Sequence, residues 1–299
     1  MSLYPRHGCV ITELRPTAAG RNLLWSRPSA PLHDLDGSIA PGPAIDQFDE
    51  TVFAGGWFGM FPLAGIPGAG DTDIPMHGDV PRIAWEVARL DPDSAVCTAR
   101  TPSGFDVERS LRLDGPSLRV ATRARNVSGV ERIATWGEHP CFARDVFAGG
   151  SLSIDASSAF ITPEASDPAA TRFAPGQRFD WPRALGVHGG YDDVTLVPTI
   201  ADGRHDHVCA TLAAPDLEVT APGLGGRIRV SVDLTSTPEL LYWQHFLPDS
   251  SPWSGDVFGL EVCSAPGRTL DDARAANAVS VVAPEGVVEW SMTVAWLQD

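Results

Sequence analysis

The sequence predicts an all-β protein with few short helices, and three observations carry that expectation. Glycine and proline supply 29 and 26 of the 299 residues, more than their usual share of about 12%, as many strands joined by tight turns require. Period-two alternation of apolar and polar residues recurs along the chain, the mark of strands with one buried face. Helical periodicity is sparse, and no glycine fingerprint or phosphate loop links a strand to a helix, which argues against nucleotide-binding α/β folds.

The elements follow in order. Strands are expected near 8–14, 21–26, 104–113, 151–155, 193–198 and 207–220. Leu118, Val120, Thr122 and Ala124 alternate with a set holding Arg119, Arg123 and Arg125. Ile228, Val230, Val232 and Leu234 share one face of another strand, with Arg227 and Arg229 on the other. Residues 278–283, the turn Pro284-Glu285-Gly286 and residues 287–297 read as a closing hairpin. The best helical segment is Leu270 to Ala278, with Thr269 as cap and Asp271 and Asp272 in the first turn. The Pro-, Gly- and Asp-rich stretches 27–50 and 62–81 read as long loops of one domain spanning 1–299 rather than linkers, because apolar and aromatic segments flank them closely.

A formal charge of −16 and a pI near 4.8 repel phosphate backbones and anionic lipid, so nucleic acid and membrane surfaces are not expected partners. The five cysteines, Cys9, Cys97, Cys141, Cys209 and Cys263, are scattered and form no Cys-x-x-Cys pair. Neither a zinc knuckle nor a disulfide framework is indicated. No apolar run approaches the ~20 residues that span a bilayer. A reduced, cytoplasmic protein is the expectation.

Four segments stand out for chemistry. The first runs Gly55-Gly56-Trp57-Phe58-Gly59-Met60-Phe61-Pro62, then Met76-His77-Gly78 to Arg82 and Trp85. The second is Asn126-Val127-Ser128 followed by Glu138-His139-Pro140-Cys141-Phe142, and the third is Gly189-Gly190-Tyr191-Asp192-Asp193. The fourth is Phe258-Gly259-Leu260-Glu261-Val262-Cys263. Singly they say little: a lone His reads as a loop residue or a satisfied core imidazole, and Trp57, Phe58 and Phe61 read as core. Glu261, between Leu260 and Val262, reads as a solvated outer-face carboxylate.

In this order and spacing the segments resemble the aldose 1-epimerase (galactose mutarotase-like) superfamily, including its hexose-6-phosphate branch, over about residues 8–297. The resemblance implies a β-supersandwich with one sugar cleft on a concave sheet face. It implies that the partner is a monosaccharide or related carbohydrate whose α and β anomers are interconverted. It also implies roles: Glu261 as general base, His139 as general acid at the ring oxygen, and His77 as the second, polarising histidine. Asp192 and Arg82 are candidate contacts to the sugar, and Trp57, Phe58 and Trp243 are candidates for an aromatic floor. One carboxylate and one imidazole suffice for this acid–base chemistry, so no metal and no organic cofactor is required.

The chain departs from the phosphate-binding branch in two places. Ala54 stands where that branch carries Arg before Gly-Gly, and one extra residue separates His77 from Arg82. Displaced guanidinium groups weaken bidentate phosphate binding, so a free aldose is favoured over a sugar phosphate. A non-catalytic carbohydrate-binding or regulatory module of the same fold, and a hexose-6-phosphate mutarotase, stay as alternatives. His205-Asp206-His207 has metal-ligand spacing but lacks a third ligand, and reads as an exposed turn. Cys141 reads as a small buried filler beside the site. The sequence leaves open which sugar is bound, through loops 27–50, 62–81 and 163–188, and whether the chain is a monomer or homodimer.

Overall fold

The structure, a computed structural model, describes residues 1–17, 20–27, 30, 32–39, 42–71, 74–163, 169–247 and 256–298. Among these, two antiparallel sheets make up most of the regular structure. The nine-stranded sheet runs in the order Ser2–Tyr4, Val10–Glu13, Trp57–Met60, Gly137–Ala143, Asp256–Cys263, Glu239–Phe246, His205–Leu212, Ala156–Ile161, Arg178–Phe179. The eight-stranded sheet runs Leu152–Ser153, Asp216–Ala221, Gly226–Val232, Val287–Gln298, Ser117–Asn126, Phe105–Asp114, Ser94–Arg100, Glu86–Asp91. The all-β expectation holds.

Alternation explains which faces meet. In Ser117–Asn126, Leu118, Val120, Thr122 and Ala124 are buried, while Arg119 and Arg123 point to solvent. In Gly226–Val232, Ile228, Val230 and Val232 turn inward. Their counterparts on the nine-stranded sheet include Leu240, Tyr242, Phe258, Leu260 and Val262, all at most 1% exposed. Each such aliphatic or aromatic side chain contributes about 1.5–3 kcal/mol by leaving water.

One polar knot crosses this apolar layer. Glu138 is fully buried and accepts two hydrogen bonds from Arg109 at 2.8 Å each, one from the Trp57 indole at 2.7 Å and one from the Trp290 indole at 2.9 Å. The knot ties the strand that carries His139 to two strands of the opposite sheet. Gly59 makes room for it, since a Cβ there would lie 2.7 Å from an Arg109 Nη1.

Several local expectations change. The chain's last two strands do not form a hairpin: Ser280–Val282 pairs with Arg132–Ala134, whereas Val287–Gln298 joins the large sheet. Asn126 directs the split, because its amide donates to the Val282 and Val130 carbonyls while its backbone bonds Glu285 and Gly286. The stretch 27–50 is not all loop, since Ala44–Thr51 is a helix. Residues 207–220 hold two strands, and 21–26 contribute only isolated bridges at Leu24 and Ser26. The helix at 270 forms over Leu270–Ala275 with Thr269 in a capping box with Asp272. Among the described residues no helix is long and apolar enough to cross a membrane.

Candidate active site

The candidate site lies on the face of the nine-stranded sheet that looks away from its partner. The register sets it up. Gly259 pairs with Cys141 and Val262 with Glu138, which places His139 across from Glu261 on neighbouring strands. One strand further, Trp243 pairs with Gly259 and Leu241 with Glu261; beyond it, His207 pairs with Trp243 and His205 with His245. Residues two apart on a strand share a face, so His139, Glu261, Trp243, His245, His205 and His207 gather on one side.

The helix Ala44–Thr51 and the described residues of the 62–81 loop cover this face, leaving a cavity of about 300 Å³, at the lower end of ligand-sized pockets. Ile45, Phe48 and Asp49 of the helix, Ile66 and Met76 of the loop, and Leu241 and Leu247 complete its walls. The solvated reading of Glu261 is thereby corrected: the residue is 3% exposed, because its outward face is roofed.

The His139 Nε2 lies 3.3 Å from Glu261 Oε1. The imidazole is fixed by Phe58, stacked on it at 4.6 Å, by Trp243 edge-on at 5.8 Å and by the His77 ring edge-on at 5.3 Å. On its other side Nδ1 meets the Cys141 sulfur at 3.4 Å. Gly259 leaves room for both rings, since a Cβ would press within 3.2 Å of the His139 ring and 3.3 Å of the Trp243 ring.

His77 comes from the loop and holds a left-handed conformation, φ +59°, uncommon for a non-glycine residue. The chain crosses tightly at the next residue, where Gly78 has no space for a Cβ against the Phe61 backbone at 2.3 Å. His77 N bonds the Gly65 carbonyl at 2.7 Å, and His77 Nδ1 accepts from Gly65 N at 3.3 Å. The neutral ring therefore carries its proton on Nε2 and can donate it.

Burial governs the electrostatics. It pushes the Glu261 carboxyl up to about 8, with Arg268 opposing, and Oε2 has no hydrogen-bond partner among the described residues. Burial also lowers the His139 imidazole to about 3, its own backbone carbonyl opposing. His77 falls well below the usual range through burial, then through His139, Arg82 and Arg268. At neutral pH the resting pair is a protonated carboxyl beside a neutral imidazole, sharing one proton. Paired groups with pKa values pushed apart mark acid–base sites.

The structure brings His77, His139, Glu261 and Trp243 together at the cavity and sets Phe58 directly behind His139. Three named residues lie elsewhere. Trp57 turns to the opposite sheet face, where its indole serves Glu138. Arg82 is 2% exposed and does not line the cavity. Its guanidinium lies over the Phe48 ring at 5.5 Å, without a hydrogen bond among the described residues. Asp192 sits on the exposed hairpin Arg183–Leu185/Tyr191–Asp193, facing Arg172 at 3.9 Å. Described residues of the 163–188 segment also stay off the cavity wall.

Other lining residues had no place in the sequence argument: Phe48, Asp49, Phe53, His245 and Arg268, while His205 and His207 entered it only as a metal-ligand spacing set aside as a turn. His205 and His207 are not in an exposed turn but on a strand, with Asp206 buried against Arg172. The Trp243 indole donates to His205 Nε2 at 3.2 Å. The spacing of 205 and 207, and of 243 and 245, was the available signal: period-two placement on one face of two paired strands. Among the described residues these groups form no metal-ligating cluster of His, Cys, Asp or Glu.

No family model matches the chain, and no curated protein does. Solved structures do match. The Slr1438 protein of Synechocystis aligns at 19% identity and TM-score 0.68, over 100% of this chain and 91% of its own. A galactose mutarotase-like protein from Clostridium acetobutylicum aligns at 14% identity and TM-score 0.64, covering 99% of this chain and 92% of its own. One from Lactobacillus casei aligns at 15% and 0.64, covering 98% and 95%. At such identities the likeness is one of fold: the chain has the galactose mutarotase-like β-sandwich architecture.

Proposed function

We propose that this protein is an aldose 1-epimerase acting on an unphosphorylated aldose. The observation that supports the reading most is the His139–Glu261 pair, 3.3 Å apart in a buried cavity, with His77 beside it as a neutral donor.

The proposed cycle needs only one proton on the pair. Passing it from Glu261 to His139 yields a carboxylate and an imidazolium. The carboxylate removes the anomeric hydroxyl proton as His139 Nε2–H protonates the ring oxygen, and the ring opens to the aldehyde. Rotation about C1–C2 and the reverse proton movements close the other anomer. Protons balance, and the pair returns to its starting state. Dry surroundings strengthen both transfers, and each positioned group contributes about 10²–10⁴-fold. His77 Nε2–H is suited to polarise an oxygen near the same centre, and Trp243 offers a face to the sugar's C–H bonds.

A free aldose is preferred because Ala54 supplies no guanidinium and Arg82 does not line the cavity. The test is the relaxation of freshly dissolved α-glucose, α-galactose and a wider aldose panel, followed by NMR, with glucose 6-phosphate as a second arm. Catalysed relaxation that Glu261→Gln abolishes supports the reading. Sugar binding without acceleration would make the protein a binding module, and faster turnover of the phosphate ester would reverse the substrate preference.

A further inference from the structure

We propose that Asp49 is a specificity-determining residue: reaching into the cavity from the helix above it, the carboxyl pairs with a sugar hydroxyl away from the anomeric carbon. The ligand class in this inference rests on the function proposed above; the binding it predicts does not require turnover.

The helix Ala44–Thr51 carries three acids, and their placement differs. Ile45, Phe48, Asp49 and the C-cap residue Val52 stand at i, i+3, i+4 and i+7, one stripe of a helix. Phe48 and Val52 are buried, and Ile45, Phe48 and Asp49 line the cavity. Asp46 and Glu50 lie off the stripe and are exposed. Folding by itself favours an apolar side chain at position 49, because a carboxyl there gives up water. Asp49 also stands in the last turn, where the helix dipole disfavours negative charge and no basic residue offsets it.

The protein's own contacts do not account for this acid. Arg27 donates to the Asp49 backbone carbonyl rather than to its side chain. Among the described residues the carboxyl makes no hydrogen bond and no ion pair, and it faces the cavity. Burial pushes it up to about 7, Arg27 opposing, so both forms exist near neutrality. Either can pair with a hydroxyl, since the carboxylate accepts and the acid also donates.

The position suits a bound aldose. Among the described residues the cavity is lined by two carboxyl groups, Glu261 from the sheet and Asp49 from the helix over it. In the proposed cycle Glu261 serves the anomeric hydroxyl. The sugar's other hydroxyls, once enclosed, need partners of their own. His77 Nδ1 already accepts from Gly65 N, and His205 Nε2 from the Trp243 indole. Asp49 brings two oxygens from the opposite side. A site that pairs with a hydroxyl rejects the analogue lacking it far better than an apolar wall rejects a misfit.

The experiment measures binding to the full chain by titration calorimetry, with glucose, galactose and mannose, then with the monodeoxy forms of the tightest. Asp49→Leu should weaken that sugar about 10–100-fold, the scale of a buried hydroxyl left unpaired, and raise KM to match with kcat little changed. One monodeoxy sugar, lacking the hydroxyl that Asp49 holds, should bind parent and variant alike. Asp49→Leu should unfold in urea no earlier than the parent, because the apolar stripe is then complete. Asp46→Asn, on the exposed side of the same helix, should leave Kd unchanged. An unchanged Kd in Asp49→Leu overturns the assignment. So does an equal loss for every monodeoxy sugar, since the residue would then act through the fold. Sugar binding without anomer relaxation would sink the proposed enzyme and leave the Asp49 assignment intact; catalysed relaxation with KM untouched by Asp49→Leu would do the reverse. A parent protein that binds none of these sugars overturns both.

Discussion

Glu261→Gln should stabilise the protein in mild alkali while removing the proposed base. In the folded chain the carboxyl titrates at about 8 against an ordinary 4.5, chiefly through burial. Between those values the folded state holds a proton that the unfolded chain has released. Stability from this group is therefore complete below pH 4.5 and drains away as pH rises through 8. The displacement corresponds to about 5 kcal/mol across the window, a large share of a typical folding free energy. Gln keeps the shape of the protonated acid, can still donate to His139 Nε2, and cannot ionise. Urea unfolding of both proteins at pH 5 and pH 8.5 measures the effect. The two should nearly coincide at pH 5, and the variant should lead by several kcal/mol at pH 8.5. Parallel behaviour at both values would refute the reasoning, because Glu261 would then titrate as a solvated carboxylate and the pocket would not be dry. The trade of stability for a reactive group is the pattern expected of a working site.

Three further outcomes follow from the same geometry. The pH–rate profile of kcat/KM should be flat through neutrality and fall as pH rises through about 8, where the pair loses its one proton; a rate that keeps rising past pH 9 would exclude Glu261 as the proton holder. Gly259→Ala should leave the fold intact but cut kcat at least tenfold, since the new methyl would press within 3.2 Å of the His139 ring and 3.3 Å of Trp243; circular dichroism with anomer relaxation separates the two. Arg109→Met should cost roughly 3–5 kcal/mol by stranding Glu138, and adding Glu138→Met should recover part of that in urea unfolding.

The strand pattern was legible in the sequence because alternation is a property of consecutive residues. Ile228, Val230 and Val232, or Leu118 and Val120, need no distant partner to declare a common face, and Thr269 with Asp272 announces the helix start within four residues. The helix Ala44–Thr51 gave no comparable notice. Its entry at Pro43 makes no side-chain capping bond, and its one deeply buried residue, Phe48, rests on His77, Phe53 and Phe58. The broken hairpin at 278–297 likewise depended on Asn126, 156 residues before Val282.

His77, His139 and Glu261 were nameable from the order of short motifs along the chain, and that is as far as sequence reached. Alternation says that Trp57 and Phe58 face opposite ways. Which way leads to the cavity was decided by Arg109 and Trp290 on the other sheet, which claim Glu138 and, through it, Trp57. The imidazoles of His205, His207 and His245, with Arg268, reach the same cavity only because four strands pair in one register and a loop and helix close over them. Sequence fixes local periodicity and chemical type. Burial, proton affinity and the direction in which a ring presents its nitrogen are set by what packs against it from far along the chain, and only the tertiary structure determines that.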